Sequence, residues 1–347
     1  MRDVEFPHRI VVSPMCQYSC KDGFATDWHF VHLGSRAVGR AAAVIAEATA
    51  VTADGRISPQ DLGIWTDAHV EPLRRAFSFI AEQGAVPGIQ LAHAGRKAST
   101  SQPWNGSRPI SPAEGGWTPI FAPSPLPFAE GYQAPHALSV AEIAGIVQAF
   151  ADAAGRAQAA GARLIELHGA HGYLLHSFLS PLSNQRTDQY GGSFANRIRM
   201  ACEVVTVVRK VWPEKYPLWM RISATDWVEG GWTVEESIAL ARTLQPLGVD
   251  LFDCSSGGNV PHVKIPVGPG YQVAFAEQVR RQAGVLTAAV GMITDPAQAD
   301  QIVRSSQADV VVLARQFLRE PYWPLLAAHA LGYEIKWPVQ YERAKMR

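Results

Sequence analysis

Hydrophobic residues along this chain recur in short, β-branched runs, and an amphipathic segment of helix length follows each run. Runs that are apolar at consecutive positions predict strands buried on both faces, as in a parallel sheet. The eight runs are Arg9–Met15, Ala43–Val51, Pro87–His93, Ala162–His168, Pro217–Ser223, Val249–Cys254, Leu286–Ile293 and Ala308–Leu313. The eight helical segments are Trp28–Val38, Asp67–Gln83, Val140–Ala160, Ser193–Trp212, Thr233–Leu247, Gln272–Ala283, Asp295–Ser305 and Pro321–Leu331.

Strict alternation of eight strands with eight helices predicts an α/β fold, a (β/α)8 TIM barrel in which residues 1–347 form a single domain. Helix-start signals agree, because Ser139 precedes Glu142 and Thr233 precedes Glu236, the spacing of a capping box. A doubly wound open sheet is the alternative. The number of units and the lack of a nucleotide-binding fingerprint after the first strand disfavour it.

The third strand–helix connection is much longer than the others. Residues 95–138 are rich in Pro, Gly, Ser and Trp and include the run Pro123–Pro127. A loop of this length in a compact domain is usually functional or folds over a site. We therefore predict that residues 95–138 form a cap over the C-terminal face of the barrel.

Composition narrows the range of partners and compartments. The 31 Lys and Arg residues balance the 31 Asp and Glu residues, so nothing in the charge favours nucleic acid or an anionic membrane. The four cysteines show no disulfide framework, which predicts a reduced, cytoplasmic protein. No uncharged apolar stretch is long enough to span a bilayer, since Glu47 interrupts the best candidate.

The end of the fourth predicted strand carries the densest group of polar side chains. His168, His171 and Tyr173 lie within six positions, and Gly169 and Gly172 remove side-chain bulk beside them. Two imidazoles and a phenol offer hydrogen-bond donors for a polarised oxygen and a proton donor for a neighbouring atom. A single histidine here would be interpreted as a loop residue with satisfied hydrogen bonds. Three such groups at one strand end indicate an active site, which in a barrel lies at this face.

Other strand ends supply the parts that a phosphorylated, planar, hydrogen-bonding cofactor needs. Gln90 offers an amide for the edge of a planar ring that carries hydrogen-bond donors and acceptors. Arg221 offers positive charge, and the small Ala48 allows the ring to approach closely. Gly291 and the pair Ala314–Arg315 follow the seventh and eighth strands, where barrels often bind phosphate. Gly291 alone would be interpreted as an ordinary tight turn. Together these residues indicate flavin mononucleotide (FMN).

Eight motifs, spread over nearly the whole chain, carry a resemblance to a known family. They are Ser13–Tyr18, Gly63–Trp65, Gly88–Lys97, His168–Tyr173, Phe178–Asn196, Asp253–Gly257, Val290–Ile293 and Gln340–Arg343. The chain resembles the Old Yellow Enzyme family of FMN-dependent ene-reductases and, within it, a bacterial class. That resemblance implies hydride transfer from NADPH or NADH, through non-covalent FMN, to the β-carbon of an α,β-unsaturated carbonyl or nitro compound.

The resemblance also implies roles for individual residues. His168 and His171 would hold the activating oxygen of the substrate, Tyr173 would donate the proton, and Tyr18 would line the pocket. Cys16 would lie beside the flavin and modulate its redox behaviour. The implied flavin-binding residues are Ser13, Pro14, Met15, Cys16, Ala48, Gln90, Arg221, Gly291, Ala314 and Arg315.

The resemblance implies a homodimer or homotetramer as well. The C-terminal tail, residues 332–347, would contact a neighbouring subunit, and its Arg343 would reach the adjacent active site and help to bind substrate. The chain begins close to the first strand, so the hairpin that usually closes the barrel floor is expected to be truncated.

Two other functions compete with this interpretation. A metal-dependent barrel hydrolase would use the His168/His171 spacing, but no Asp, Glu or Cys follows at ligand spacing, so we predict no metal site. A non-catalytic flavin-binding sensor would keep Gln90 and Arg221 but has no need for the histidine–tyrosine group. Four acidic residues are interpreted as a solvated loop and helix start: Asp226, Glu229, Glu235 and Glu236.

Overall fold

Eight parallel strands close into a barrel in the computed structural model, which describes residues 1–346. The barrel order is β1-β2-β3-β6-β7-β8-β9-β10, and closure is made by β1, which pairs with β10 at Ile10–Val311 and with β2 at Val11–Ala43. The strands are β1 Ile10–Val12, β2 Ala43–Ala50, β3 Val86–Ala92, β4 Phe121–Ala122, β5 His136–Ala137, β6 Leu164–Gly169, β7 Leu218–Ser223, β8 Leu251–Ser255, β9 Leu286–Ala289 and β10 Val310–Leu313. The predicted (β/α)8 barrel is confirmed.

Helices surround the barrel and bury one face each against it. They are α1 Asp27–Val38, α2 Val70–Glu82, α3 Val140–Ala159, α4 Leu174–Leu179, α5 Phe194–Arg197, α6 Arg199–Val211, α7 Val234–Leu244, α8 Val273–Ala283, α9 Pro296–Arg304, α10 Arg315–Arg319 and α11 Trp323–Ala330. The capping boxes predicted from sequence form at Ser139 and Thr233, whose side chains accept from the N–H groups of Glu142 and Glu236.

Two elements differ from the sequence prediction. The run Arg9–Met15 forms a strand only over Ile10–Val12, because Pro14 has no N–H to donate to the sheet and the chain turns away after Ser13. The predicted helix Ser193–Trp212 is two helices, α5 and α6, that adjoin at Ile198, where the backbone has φ −81° and ψ −10°.

Aromatic stacking covers the floor of the barrel. Phe6 stacks on Trp219 with ring centroids 5.9 Å apart, and Val4 packs in the same buried cluster as Val11 and Leu251. The residues before β1 therefore cover this end of the barrel.

The long third connection runs over the C-terminal end of the barrel. It contains three short 3-10 turns and the two-residue strands β4 and β5, which pair in parallel. The Trp117 indole donates to the carbonyl of Asp54 after β2, and Arg186 after β6 donates to the carbonyls of Pro123 and Leu138. The segment is thereby joined to loops from two sides of the barrel mouth. Within residues 1–346, no helix is long and apolar enough to cross a membrane.

Candidate active site

Parallel register brings the polar residues of neighbouring strands to one level at the barrel mouth. Gln90 on β3 is level with Glu166 on β6, and His168 on β6 is level with Arg221 on β7 and Asp253 on β8. All five side chains are buried. The parallel strands thus gather the predicted site residues of β3, β6 and β7 in one place. They add two carboxyl groups: that of Glu166, which was not predicted as a site residue, and that of Asp253, which was named only as part of the motif Asp253–Gly257.

The three predicted catalytic rings are in contact. The His168 ring lies edge-on to His171, with centroids 5.2 Å apart, and edge-on to Tyr173, with centroids 4.9 Å apart. The backbone N–H of Ala170 donates to His168 Nδ1 at 3.3 Å, so the proton of a neutral ring lies on Nε2. His171 Nε2 lies 2.7 Å from Ser255 Oγ on β8. Ser255 is therefore a further site residue. The motif Asp253–Gly257 was the sequence signal for it, and its contact with His171, 84 residues away, was not predicted.

The turn that carries this group has a demanding backbone. His171 has φ +60° and Gly172 has φ +73°, both in the left-handed region. A Cβ on Gly172 would lie 2.3 Å from the carbonyl oxygen of Gly258, so only glycine fits there. The His171 N–H donates to Ser223 Oγ at 2.9 Å, and Lys97 Nζ donates to the His171 carbonyl at 3.0 Å. Three other chain segments therefore hold the turn in place.

A buried His–Asp pair braces the same turn from below. His176 Nδ1 accepts from the N–H of Gly172 at 2.9 Å, which leaves Nε2 protonated and 3.1 Å from Asp226 Oδ1. Asp226 Oδ2 accepts from Ser180 Oγ and from the N–H of Trp232. The interpretation of Asp226 as part of a solvated loop is wrong, because the residue is only 1% exposed. Its side-chain partners His176 and Ser180 lie 50 and 46 residues away, so its burial was not evident from the sequence around it.

Charge is suppressed throughout the histidine–tyrosine group. Burial, reinforced by the positive charge of Arg221, lowers the pKa of both His168 and His171 well below its usual value. Burial and the nearby Cys16 and Asp61 raise the pKa of Tyr173 well above its usual value. At neutral pH the group therefore presents uncharged imidazole N–H donors and a protonated phenol.

Lys97 lies against this group and was not among the predicted site residues. Its ammonium is 5.1 Å from the centre of the Tyr173 ring and 4.4 Å from that of Phe128 in the long third connection. Burial, and then the charge of Arg96, lower the pKa of Lys97 to about 8. The motif that contains Lys97 was the only sequence signal for it.

The segment after β1 is held by a carboxylate from β2. The register of β2 shifts between Ala46 and Ala48, so Glu47 occupies a bulge and Ala48 faces the mouth. Glu47 Oε2 accepts from the N–H of Gln17 at 2.8 Å, which fixes the backbone between Cys16 and Tyr18. Burial, and then the charges of Asp61 and Glu47, raise the pKa of Cys16, so its thiol stays protonated.

Three of the predicted cofactor residues, Gln90, Arg221 and Ser13, make hydrogen bonds inside the barrel. Gln90 Nε2 donates to Glu166 Oε1 at 2.7 Å, and Arg221 Nη1 donates to Ser13 Oγ at 2.9 Å. The amide oxygen of Gln90 makes no hydrogen bond with residues 1–346 and is free to accept one from a ligand. Pro14 and Met15 continue from Ser13 along the same rim and are partly buried.

The predicted phosphate end is formed by the segments after β9 and β10. Gly291 has φ +126°, and a Cβ there would lie 2.9 Å from Gln272 Nε2. Arg315 is exposed at the start of α10, directly after Ala314. Burial raises the pKa of Tyr271, and the charges of Arg315 and Arg221 offset part of that rise. Both guanidinium groups therefore act on the region around Tyr271, which the sequence did not single out.

Arg343 is the one predicted site residue that the chain does not bring to the mouth. It is exposed on a 3-10 segment, Val339–Ala344, and no hydrogen bond or ion pair within residues 1–346 joins it to another side chain. The same residues contain no group of three or more His, Cys, Asp or Glu side chains that could hold a metal ion.

Comparison with known proteins gives matches over almost the whole chain. Residues 1–334 match the model of the NADH:flavin oxidoreductase / NADH oxidase family. An NADPH dehydrogenase of Geobacillus sp. (strain WCH70) is 50% identical over 99% of this chain and 96% of its own length. An NADPH dehydrogenase of Geobacillus thermodenitrificans (strain NG80-2) is 48% identical over the same shares of the two chains.

A solved structure is similar over a comparable length. Morphinone reductase in complex with tetrahydroNAD is 26% identical, has a TM-score of 0.77, and aligns with 97% of this chain and 90% of its own. The similarity thus covers both the barrel strands and the loops that follow them at the barrel mouth.

The Asp226 brace predicts a pH-dependent loss of stability. Burial acts to raise the pKa of Asp226, but hydrogen bonds from His176, Ser180 and the N–H of Trp232 lower it to about 2. A carboxylate whose folded pKa lies below its ordinary value contributes stability above about pH 4 and loses it as the pH falls toward 2. We expect Asp226→Asn to lower the free energy of unfolding by about 2 kcal/mol at pH 7.

Urea unfolding of wild type and variant at a series of pH values measures this difference. The deficit should shrink steadily between pH 4 and pH 2. Glu229→Gln, three residues along the same loop and exposed, is the matched control and should change stability by no more than about 0.5 kcal/mol. A deficit that stays constant over this pH range would contradict the assignment.

Proposed function

The chain belongs to the NADH:flavin oxidoreductase / NADH oxidase family, and on that premise we propose that it is an ene-reductase that reduces activated alkenes. It is an Old Yellow Enzyme-like oxidoreductase that uses FMN and a nicotinamide reductant and acts on small molecules. The proposed substrates are α,β-unsaturated carbonyl and nitro compounds. The observation that carries the proposal is the contact of His168, His171 and Tyr173 at the barrel mouth.

The residues of the mouth fit FMN in their chemistry. Gln90 retains a free amide oxygen, Arg221 offers a guanidinium for an electron-rich edge of the ring, and the small side chain of Ala48 would allow the ring to approach closely. Gly291 with the pair Ala314–Arg315 would receive the phosphate through backbone N–H groups and one cation. Ser13, Pro14, Met15 and Cys16 would line the ring. Bound FMN would take hydride from NADPH or NADH and deliver it to the β-carbon of the substrate.

The two histidines would bind the oxygen of the activating group. His168 offers Nε2–H, because its Nδ1 already accepts from Ala170 N–H. His171 offers Nδ1–H when the Ser255 hydroxyl donates to its Nε2. Negative charge develops on the substrate oxygen as the conjugated carbon is attacked, so these donors stabilise the transition state more than the ground state. A simple alkene has no such oxygen and is not a substrate.

Tyr173 would complete the reaction by protonating the α-carbon. Its phenol stays protonated at neutral pH because burial raises its pKa. Edge-on contact with His168 places it beside the histidine that would hold the substrate oxygen. Tyr18, which packs edge-on against Trp104 of the long third connection, would line the opposite side of the pocket, and residues 95–138 would cover it.

We also propose that the enzyme is a homodimer or homotetramer. Arg343 is exposed, and within residues 1–346 its side chain makes no hydrogen bond or ion pair. A position on the surface is what a residue needs if it is to reach the mouth of a neighbouring barrel.

The histidine pair is tested by binding of a phenol. A para-substituted phenolate places an oxyanion over the flavin and mimics the enolate, so it should bind the wild type with a long-wavelength charge-transfer band. We expect His168→Ala and His171→Ala each to weaken this binding and to slow enone reduction by about 10²–10³-fold, the usual effect of losing one oxyanion donor. His329→Ala, on the exposed end of α11, is the control. Equal dissociation constants in all four proteins would refute the assignment.

The proton donor is tested by separating the two half-reactions. Tyr173→Phe removes only the hydroxyl, so reoxidation of the reduced enzyme by an enone should slow by about 10²-fold or more. Reduction by NADPH should stay nearly unchanged, since it needs no proton from Tyr173. Tyr190→Phe, whose phenol binds Glu203 instead, is the matched control in stopped-flow measurements. Unaltered rates in both half-reactions would mean that water or another residue donates the proton.

Cys16 is expected to modulate the flavin without becoming a covalent nucleophile, because its raised pKa keeps the thiol protonated. Cys16→Ala should shift the flavin reduction potential or the ratio of the two KM values, and turnover should be retained. Cys202→Ala, a partly buried thiol on α6, should change neither quantity. A Cys16→Ala protein that is folded and full of FMN but inactive would overturn this role.

A further inference from the structure

A line of five buried polar side chains crosses the interior of the barrel below the proposed flavin site. Gln90 Nε2 donates to Glu166 Oε1 at 2.7 Å, and the carboxyl of Glu166 lies within hydrogen-bonding reach of Asp253. Asp253 Oδ2 is 3.5 Å from Arg221 Nε, and Arg221 Nη1 donates to Ser13 Oγ at 2.9 Å. None of the five is more than 6% exposed. The line therefore connects the two residues that would hold the flavin ring.

The charges and hydrogen bonds of this line do not balance if both acids are ionised. Two carboxylates would then face one guanidinium, which leaves an excess negative charge in a fully buried place. Glu166 Oε2 and both oxygens of Asp253 also have no hydrogen-bond donor within residues 1–346. Buried acceptors without a donor are costly, so the line lacks one hydrogen.

We propose that Glu166 is a neutral acid that donates its proton from Oε2 to Asp253 and thereby positions Gln90 and Arg221 for the flavin. Oε1 of Glu166 then accepts from Gln90, the Asp253 carboxylate pairs with Arg221, and the line is neutral overall. In support, burial and the charge of Asp253 raise the pKa of Glu166 to about 8. Burial also raises the pKa of Asp253, but the charge of Arg221 opposes that rise.

The arrangement of the line has two consequences for the cofactor. Because Glu166 Oε1 can only accept, the amide of Gln90 must turn its NH2 group toward Glu166, and its oxygen stays available for an N–H of the flavin ring. Arg221 is paired with one anion, the Asp253 carboxylate. The pair is therefore neutral overall in both redox states of the flavin. Glu166 is thus a positioning residue that acts through Gln90 and Asp253. This role rests on the proposed binding of the flavin ring by Gln90 and Arg221.

Two substitutions at position 166 separate this role from simple packing. Glu166→Leu removes the acceptor for Gln90 and the donor for Asp253, so the Kd for FMN should rise at least tenfold. Glu166→Gln is neutral and has one acceptor and one donor group in the same places, so it should restore the Kd to within about threefold of wild type. Wild-type affinity in Glu166→Leu, or no recovery in Glu166→Gln, would overturn the proposal.

The flavin reduction potential distinguishes a neutral from an ionised Glu166. If Glu166 is neutral, Glu166→Gln changes no charge. The affinity for oxidised FMN divided by the affinity for reduced FMN should then stay within about threefold of the wild-type ratio. If Glu166 were ionised, its loss would favour the electron-rich reduced flavin by tenfold or more. That shift equals about 30 mV toward positive potential for each factor of ten. A shift of this size and sign refutes the proposal.

Infrared spectroscopy of the full-length protein tests the proton without any role for FMN. A protonated carboxyl has a C=O band separate from those of carboxylates, and 13C-labelling of glutamates should move one such band. That band should be absent from Glu166→Gln and present in Asp61→Asn, which lacks the other buried acid whose pKa is raised to about 8. If no protonated carboxyl band moves on glutamate labelling, Glu166 is not neutral. If the band moves but FMN does not bind, the proposed function fails and the protonation state stands.

Discussion

Closure of eight parallel strands is the constraint on which the rest of this structure depends. Parallel strands bring all their C-terminal ends to one mouth, and closure forces alternate side chains of each strand into a shared interior. Gln90, Glu166, Arg221 and Asp253 come from four different strands, yet register sets them at adjacent levels. No local segment could hold four polar groups this close and this deeply buried.

Burial then determines the chemistry of those groups. Away from water, the charged form of an isolated group is disfavoured, so His168 and His171 are neutral donors and Tyr173 keeps its proton. The Asp226 carboxylate keeps its charge because hydrogen bonds from Ser180 and the N–H of Trp232 support it beside His176. A site with neutral donors and one neutral acid suits a reaction in which negative charge appears on the substrate and then leaves by protonation.

Rigid support from distant segments fixes where the neutral donors lie. The turn at His171 and Gly172 adopts a left-handed backbone because Ser223, Lys97 and His176 hold it from three sides. A residue other than glycine keeps a left-handed backbone only where several contacts with its surroundings stabilise it. The bulge at Glu47 has the same role for the segment that carries Cys16 and Tyr18. The positions of the site residues thus depend on hydrogen bonds from distant segments of the chain.

The sequence by itself determined the fold and which polar side chains stand at the ends of its strands. Alternating buried strands and amphipathic helices are local patterns with a fixed period, and residues such as His168 and Gln90 stand at strand ends that this period defines. Only the tertiary structure decided the burial of Asp226, the contact of Ser255 with His171, and the proximity of Glu166 to Asp253. These depend on pairs separated by 50 to 87 residues, and on the loss of water around them. Neither the spacing nor the composition of the sequence predicts which distant group will contact a given side chain. In a buried site that contact determines the protonation state of the side chain.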